Sequence, residues 1–245
     1  MTTSIPIAAA TVSSPPLIIE RFLRDRESIW RQIAAEQDLG RLIIHMMASS
    51  TVSLAVYGAI VGLAHSFLQA ASSAIKLPAL FLLTLAICLP TLYLFNLVWG
   101  GRLSAIQVMA LALTTLTVSS ALTVAFVPIA LFFQLTAHNY PFFVLLNVSI
   151  LTLSGWVGLS FLVQGTRYLN RAHDDGPPAA QVNMRLLYAW LLLYAFVGTQ
   201  LGWTLRPFFG TPDYPFILFR PLESNFYAGV IDMVFKLLIS RGRGF

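Results

Sequence analysis

The chain has 245 residues, of which 57% are apolar and 10% charged, against about 25% charged in a soluble domain. Its mean hydropathy is +0.76, which implies more apolar surface than a soluble fold of this size can hide, so the composition describes an integral membrane protein. The net charge of +5 is not gathered on one soluble element and is no nucleic-acid footprint. A single cysteine, Cys88, leaves no intrachain disulfide and no cysteine-based metal site within these residues.

Residues 1–16 carry no basic residue before a short apolar patch. They lack the positive region of a secretory signal and are expected to be disordered. A helical pattern follows over 17–38, within an amphipathic interfacial segment 17–40. Ile18, Ile19, Phe22, Leu23, Ile29, Trp30 and Ile33 fall largely on one side, and Glu20, Arg21, Arg24, Asp25, Glu27 and Arg31 on the other. Glu20 with Arg24, and Glu27 with Arg31, are i,i+4 pairs in the favourable order. So charged a helix cannot cross a bilayer, but it can lie along one.

Five apolar runs reach the ~20 residues that cross about 30 Å of hydrocarbon at 1.5 Å per residue. They cover 42–64, 77–99, 107–136, 141–164 and 185–205. Ser72, Ser73 and Lys76, then Gly100-Gly101-Arg102, His138-Asn139-Tyr140 and 165–184 read as their connections. The predicted fold is therefore all-α: a polytopic transmembrane bundle of five spans within 41–205, with an N-terminal interfacial helix and a C-terminal amphipathic helix. No internal repeat relates its halves, so the inverted-repeat signature of many transporters is missing.

With the N-terminus inside, the cytoplasmic segments hold Arg21, Arg24, Arg26, Arg31, Arg41, Arg102, Arg167, Arg171 and Arg185, against Lys76 in the loops of the other side, although five spans also put Arg206, Arg220, Lys236, Arg241 and Arg243 of the tail there. This bias favours a cytoplasmic N-terminus. Residues 206–245 then form an outer-surface cap rich in proline and aromatics, followed by an amphipathic helix. Over 225–240 that helix reads either as a surface element or as a short sixth span. Its length, and Asp232 with Lys236 near mid-bilayer, favour the surface.

Small residues stud the spans. Gly58 and Gly62, then Ser154 and Gly158, are small-xxx-small pairs that let helix backbones approach. The third span holds Thr114, Thr115, Thr117, Ser119, Ser120 and Thr123, whose hydroxyls either bond back to their own turn or line a path.

Catalytic equipment is missing from the pattern. No Asp or Glu lies between Asp38 and Asp174, and His45, His65, His138 and His173 are scattered. No catalytic residue, metal site or cofactor is expected. Asn147-Val-Ser matches a glycosylation sequon inside a span, where the letters carry no meaning.

The remaining candidate is the cap. Arg206, Phe208, Phe209, Asp213, Tyr214, Phe216, Arg220, Phe226 and Tyr227 combine residue types enriched at interface hot spots. They form a candidate docking face for lipid or protein. Arg206-Pro-Phe-Phe-Gly-Thr-Pro-Asp, with Phe219-Arg-Pro and Asn225-Phe-Tyr, resembles the C-terminal signature of a group of small uncharacterised polytopic membrane proteins of bacteria, cyanobacteria among them. The resemblance covers about thirty residues beyond the general span pattern. It implies a bacterial plasma membrane or a thylakoid-like internal one, and no activity.

The reading that follows is a non-enzymatic membrane subunit or scaffold, surrounded by membrane lipid and docking a membrane protein or a second copy of itself. Nucleic acid is not among its partners. The alternative is a transporter or channel component for a neutral or lipid-like solute, in which Ser119→Leu and Ser120→Leu stop flux and leave assembly intact. A lipid-acting enzyme would need Arg206, Arg220, His138 and Asp213 gathered at one site.

Overall fold

A computed structural model describes residues 18–98, 103–136, 140–172, 183–210, 217–218 and 226–242. The expectations for 1–16, and for Asp213, Tyr214, Phe216 and Arg220, lie outside the described residues. Among the described residues every regular element is a helix: α1 (Ile18–Arg24), α2 (Arg26–Ala34), α3 (Leu39–Gly62), α4 (Phe67–Val98), α5 (Ala105–Ala125), α6 (Val127–Thr136), α7 (Tyr140–Ala172), α8 (Met184–Thr204) and α9 (Phe226–Gly242). Helices α3, α4, α5, α7 and α8 are long and apolar enough to cross a bilayer. The chain is a multi-pass membrane protein with an all-helical bundle.

Local chemistry explains where the elements differ from the expected runs. The single helix expected over 17–38 is broken, because the Asp25 carboxylate accepts from Ser28 N (3.2 Å) and caps a new helix there. Glu36 and Asp38, both at positive φ (54° and 48°), then turn the chain into α3. The run 107–136 divides at Phe126, two residues before Pro128. Proline is tolerated in the first turn of α6, where its missing N–H has no partner to lose. The start of α5 is held by a capping box: Gln107 N donates to Ser104 Oγ (3.3 Å) and Ser104 N to Gln107 Oε1 (3.0 Å).

The largest departure is at α4. Expected from 77, it begins at Phe67 and runs 32 residues, about 48 Å at 1.5 Å per residue. Ser72, Ser73 and Lys76, expected in a loop, are therefore helical and buried. Helix α7 likewise continues to Ala172 through residues assigned to a loop.

The hydroxyl-rich α5 is the centre of the bundle. It packs against α3 and α7 on two sides, with α4 beside it; α8 packs on α4. Four of its six hydroxyls turn to their own helix: Thr114 Oγ1 to Leu111 O (2.6 Å), Thr117 Oγ1 to Leu113 O (2.9 Å), Ser120 Oγ to Thr117 O (2.9 Å) and Thr123 Oγ1 to Ser119 O (2.8 Å). This geometry hides a polar group in hydrocarbon at little cost.

Between helices that are both lipid-like there is no hydrophobic drive to associate, so close backbone contact must hold them. A Cβ on Gly158 would overlap Ser119 Oγ and come 2.5 Å from Thr115 O. On α3, a Cβ on Gly58 would overlap the Ser73 carbonyl, and one on Gly62 would lie 2.6 Å from Ala70 Cα. Facing oxygens this close to glycine backbone fit Cα–H···O contacts. Between α3 and α7 Tyr57 OH donates to Asn147 Oδ1 (2.7 Å), and between α3 and α5 Ser50 Oγ donates to Thr117 Oγ1 (3.3 Å).

Helices α1 and α2 close one end. Phe22, Ile29, Trp30 and Ile33 are buried, with Phe22 and Trp30 edge-on to each other and both against Phe161 of α7. Gly165 gives way to the Trp30 ring, which lies 2.6 Å from where its Cβ would be. Gln107 Nε2 donates to Ile33 O (3.1 Å), tying the end of α2 to α5. At these positions the apolar face meets protein, while Arg24, Asp25, Arg26, Glu27 and Arg31 stay exposed and Glu20 pairs with Arg24 at 3.1 Å.

Replacing Gly158 by Leu should separate α5 from α7 and destabilise the bundle by about 1–3 kcal/mol. Gly155, with nothing near its missing Cβ, should accept Leu within about 0.5 kcal/mol. Denaturant unfolding in mixed micelles measures both.

Candidate functional site

The early start of α4 creates a polar face on a membrane helix. Gln69, Ser72, Ser73 and Lys76 recur at three- and four-residue spacing and are all buried. Lys76 is only 6% exposed, and a lysine that far from water needs acceptors supplied by the protein.

The chain leaving α8 supplies them. Residues 206–210 and 217–218 form no regular element, so their carbonyls have no helical partners. Gln69 Nε2 donates to Pro207 O (2.9 Å), Ser73 Oγ to Phe208 O (2.6 Å) and Lys76 Nζ to Leu218 O. Gln69 Nε2 also reaches Ser73 Oγ (3.3 Å), linking the donors. One helix face thereby fastens two stretches of irregular chain.

Apolar contacts seat the same segment. Phe208 and Phe209 help line a small cavity with Tyr57, Gly58, Val61, Ser73, Leu77 and Leu151. Phe209 stands edge-on to Phe143 of α7, centroids 5.9 Å apart. A Cβ on Gly210 would overlap the His65 ring, so the chain passes that side chain only as glycine.

Just before the cap, the Arg206 guanidinium lies over the Trp203 indole, 3.6 Å from its centroid, a cation–π contact. The Trp203 ring also presses on α9 where Gly229 has no side chain. Tyr227 OH lies 3.3 Å from the Thr199 hydroxyl.

Of the docking residues expected from the sequence, Arg206, Phe208, Phe209, Phe226 and Tyr227 are described. Phe208 and Phe209 turn in towards the bundle, Arg206 stacks on Trp203, Phe226 is half-buried and Tyr227 is exposed. His138, needed for the lipid-enzyme arrangement, lies with Asp213 and Arg220 outside the described residues. Of the packing residues, Gly58 and Gly62 sit at the α3–α4 crossing and Gly158 at α5–α7, with Ser154 fully buried one turn away. The residues that sequence reading passed over are Gln69, Ser73 and Lys76. Their signal was a shared helical spacing, masked by serines that look like a turn.

The solute-path arrangement meets a physical obstacle in α5. Ser119 and Ser120 are buried at 1% and 0% exposure, and Ser119 touches Gly158. Leucine there would disturb packing as well as any path, so assembly would not stay intact.

Comparison with protein-family models, with curated proteins and with solved structures returned no match.

Ser73→Ala removes a hydrogen bond worth about 1 kcal/mol, and Lys76→Met keeps an apolar stem without the ammonium. Each should speed protease cleavage within 206–227 in detergent, and the pair more than either, with helix content by circular dichroism unchanged.

Proposed function

We propose that this protein is a non-enzymatic integral membrane subunit or scaffold whose cap docks a membrane-protein partner or a second copy of the chain. The observation that carries this reading is the fastening of irregular backbone by Gln69, Ser73 and Lys76. Irregular chain at a membrane edge is costly unless its carbonyls are satisfied within the protein. Satisfied by side chains from a spanning helix, it becomes a rigid surface, and a rigid surface loses little entropy on binding.

The part of the cap turned away from the bundle supplies the contact chemistry. Ile217 and Leu218 are exposed, and Arg206 is stacked on Trp203. Aromatic and arginine side chains at a fixed position are what interface hot spots favour.

The excess of arginine before and at the start of α3, between α4 and α5, and at the end of α7 with the start of α8 favours a cytoplasmic N-terminus. The cap then faces the opposite side of a bacterial plasma membrane or internal membrane, in keeping with the resemblance of 206–227.

A photo-crosslinking residue at Ile217 in native membranes should give a discrete adduct with one protein or with a second copy. The same residue at Gly155 should not. A chain that yields no adduct and purifies as a clean monomer in mild detergent would rule the scaffold reading out.

A further inference from the structure

Helix α9 presents three different chemistries around its axis. At about 100° per residue, Phe226, Gly229, Val230 and Met233 share one sector. They are half-buried, on a helix that packs against α7 and α8. About a third of a turn further round, Tyr227, Ile231, Val234 and Leu238 form a second sector with Phe235 at its edge, all exposed. Ala228, Asp232 and Lys236 make the third, also exposed, with the Asp232 and Lys236 side chains paired at 2.6 Å.

Each simple environment contradicts one sector. In water the second sector would leave five large apolar side chains unburied. In a sixth crossing the third sector would put both charges into hydrocarbon, on a helix of 17 residues where about 20 are needed. A line along which protein, hydrocarbon and water meet satisfies all three at once. Such a line exists at the bilayer surface beside α7 and α8, whose own exposed Leu153, Trp156, Leu192 and Phe196 belong to the lipid-facing belt.

We infer that α9 lies along the bilayer surface on the side where α8 ends, with its second sector seated in the acyl–headgroup boundary and the Asp232–Lys236 pair in water. The occupant of the exposed apolar face is lipid. Val230 belongs to the half-buried sector that faces the protein. Trp203 against Gly229, and Thr199 beside Tyr227, hold the start of the helix at the end of α8. The inference is independent of the scaffold reading, because it concerns a different face and a different partner.

The test uses the full chain in phosphatidylcholine nanodiscs, with an environment-sensitive fluorophore on Lys236→Cys, Phe235→Cys or Leu238→Cys, Cys88 being buried. Nitroxide-bearing lipid should quench the labels at 235 and 238 several-fold more than aqueous iodide does, and the order should reverse at 236. Equal iodide quenching at all three positions would mean a helix in water and overturn the inference. Lipid quenching at all three would mean a crossing helix and overturn it too. Shielding of 235 and 238 from both quenchers would mean that a second copy or another protein covers the face, again overturning it. Leu238→Cys keeps the test open if Phe235→Cys does not fold.

Discussion

Hydrocarbon offers a polar group no partner, so a polar group inside this bundle is stabilised by finding one in the chain itself. That constraint organises the structure at every scale. In α5 it turns hydroxyls onto their own helical turn. Across helices it pairs Tyr57 with Asn147 and brings Trp190 Nε1 to Cys88 O at 2.8 Å. At the bundle edge it binds the irregular chain after α8 to the donors of α4.

The same constraint explains why α4 does two jobs. Its later turns are an ordinary membrane span. Its first turns lie against α3 where Gly58 and Gly62 admit its backbone, while Gln69, Ser73 and Lys76 reach the cap. Close packing and cap fastening are thus coupled through one element: widening the α3–α4 crossing at Gly58 would move Ser73, whose carbonyl meets that glycine and whose hydroxyl holds Phe208 O. A platform built this way is as stiff as the helices beneath it, and stiffness is what the scaffold reading requires.

The two ends of the chain use the bundle differently. At the N-terminal side, α2 inserts Ile29, Trp30 and Ile33 among α5 and α7, and its charged face stays in water. At the C-terminal side, α9 packs its half-buried sector on the protein and leaves exposed an apolar stripe that we assign to lipid.

Composition and apolar run length settled the class of molecule, the all-helical bundle and its five spans, because crossing about 30 Å of hydrocarbon demands a length and polarity that show in the letters. The small-xxx-small spacings at Gly58 and Ser154 were legible for the same reason, being local and periodic. Helix breaks at Asp25 and Phe126 had local causes that apolar runs alone do not register. The long-range partners of buried polar residues were not legible. Ser73 and Lys76 look like a loop until the chain after α8, more than a hundred residues later, lays its carbonyls over them. Whether Phe208 faces in or out, and whether Val230 meets lipid or protein, likewise depended on which helices lie side by side. Hydrophobic length is a property of one segment, but hydrogen-bond satisfaction belongs to pairs, and only the tertiary structure decides the pairs.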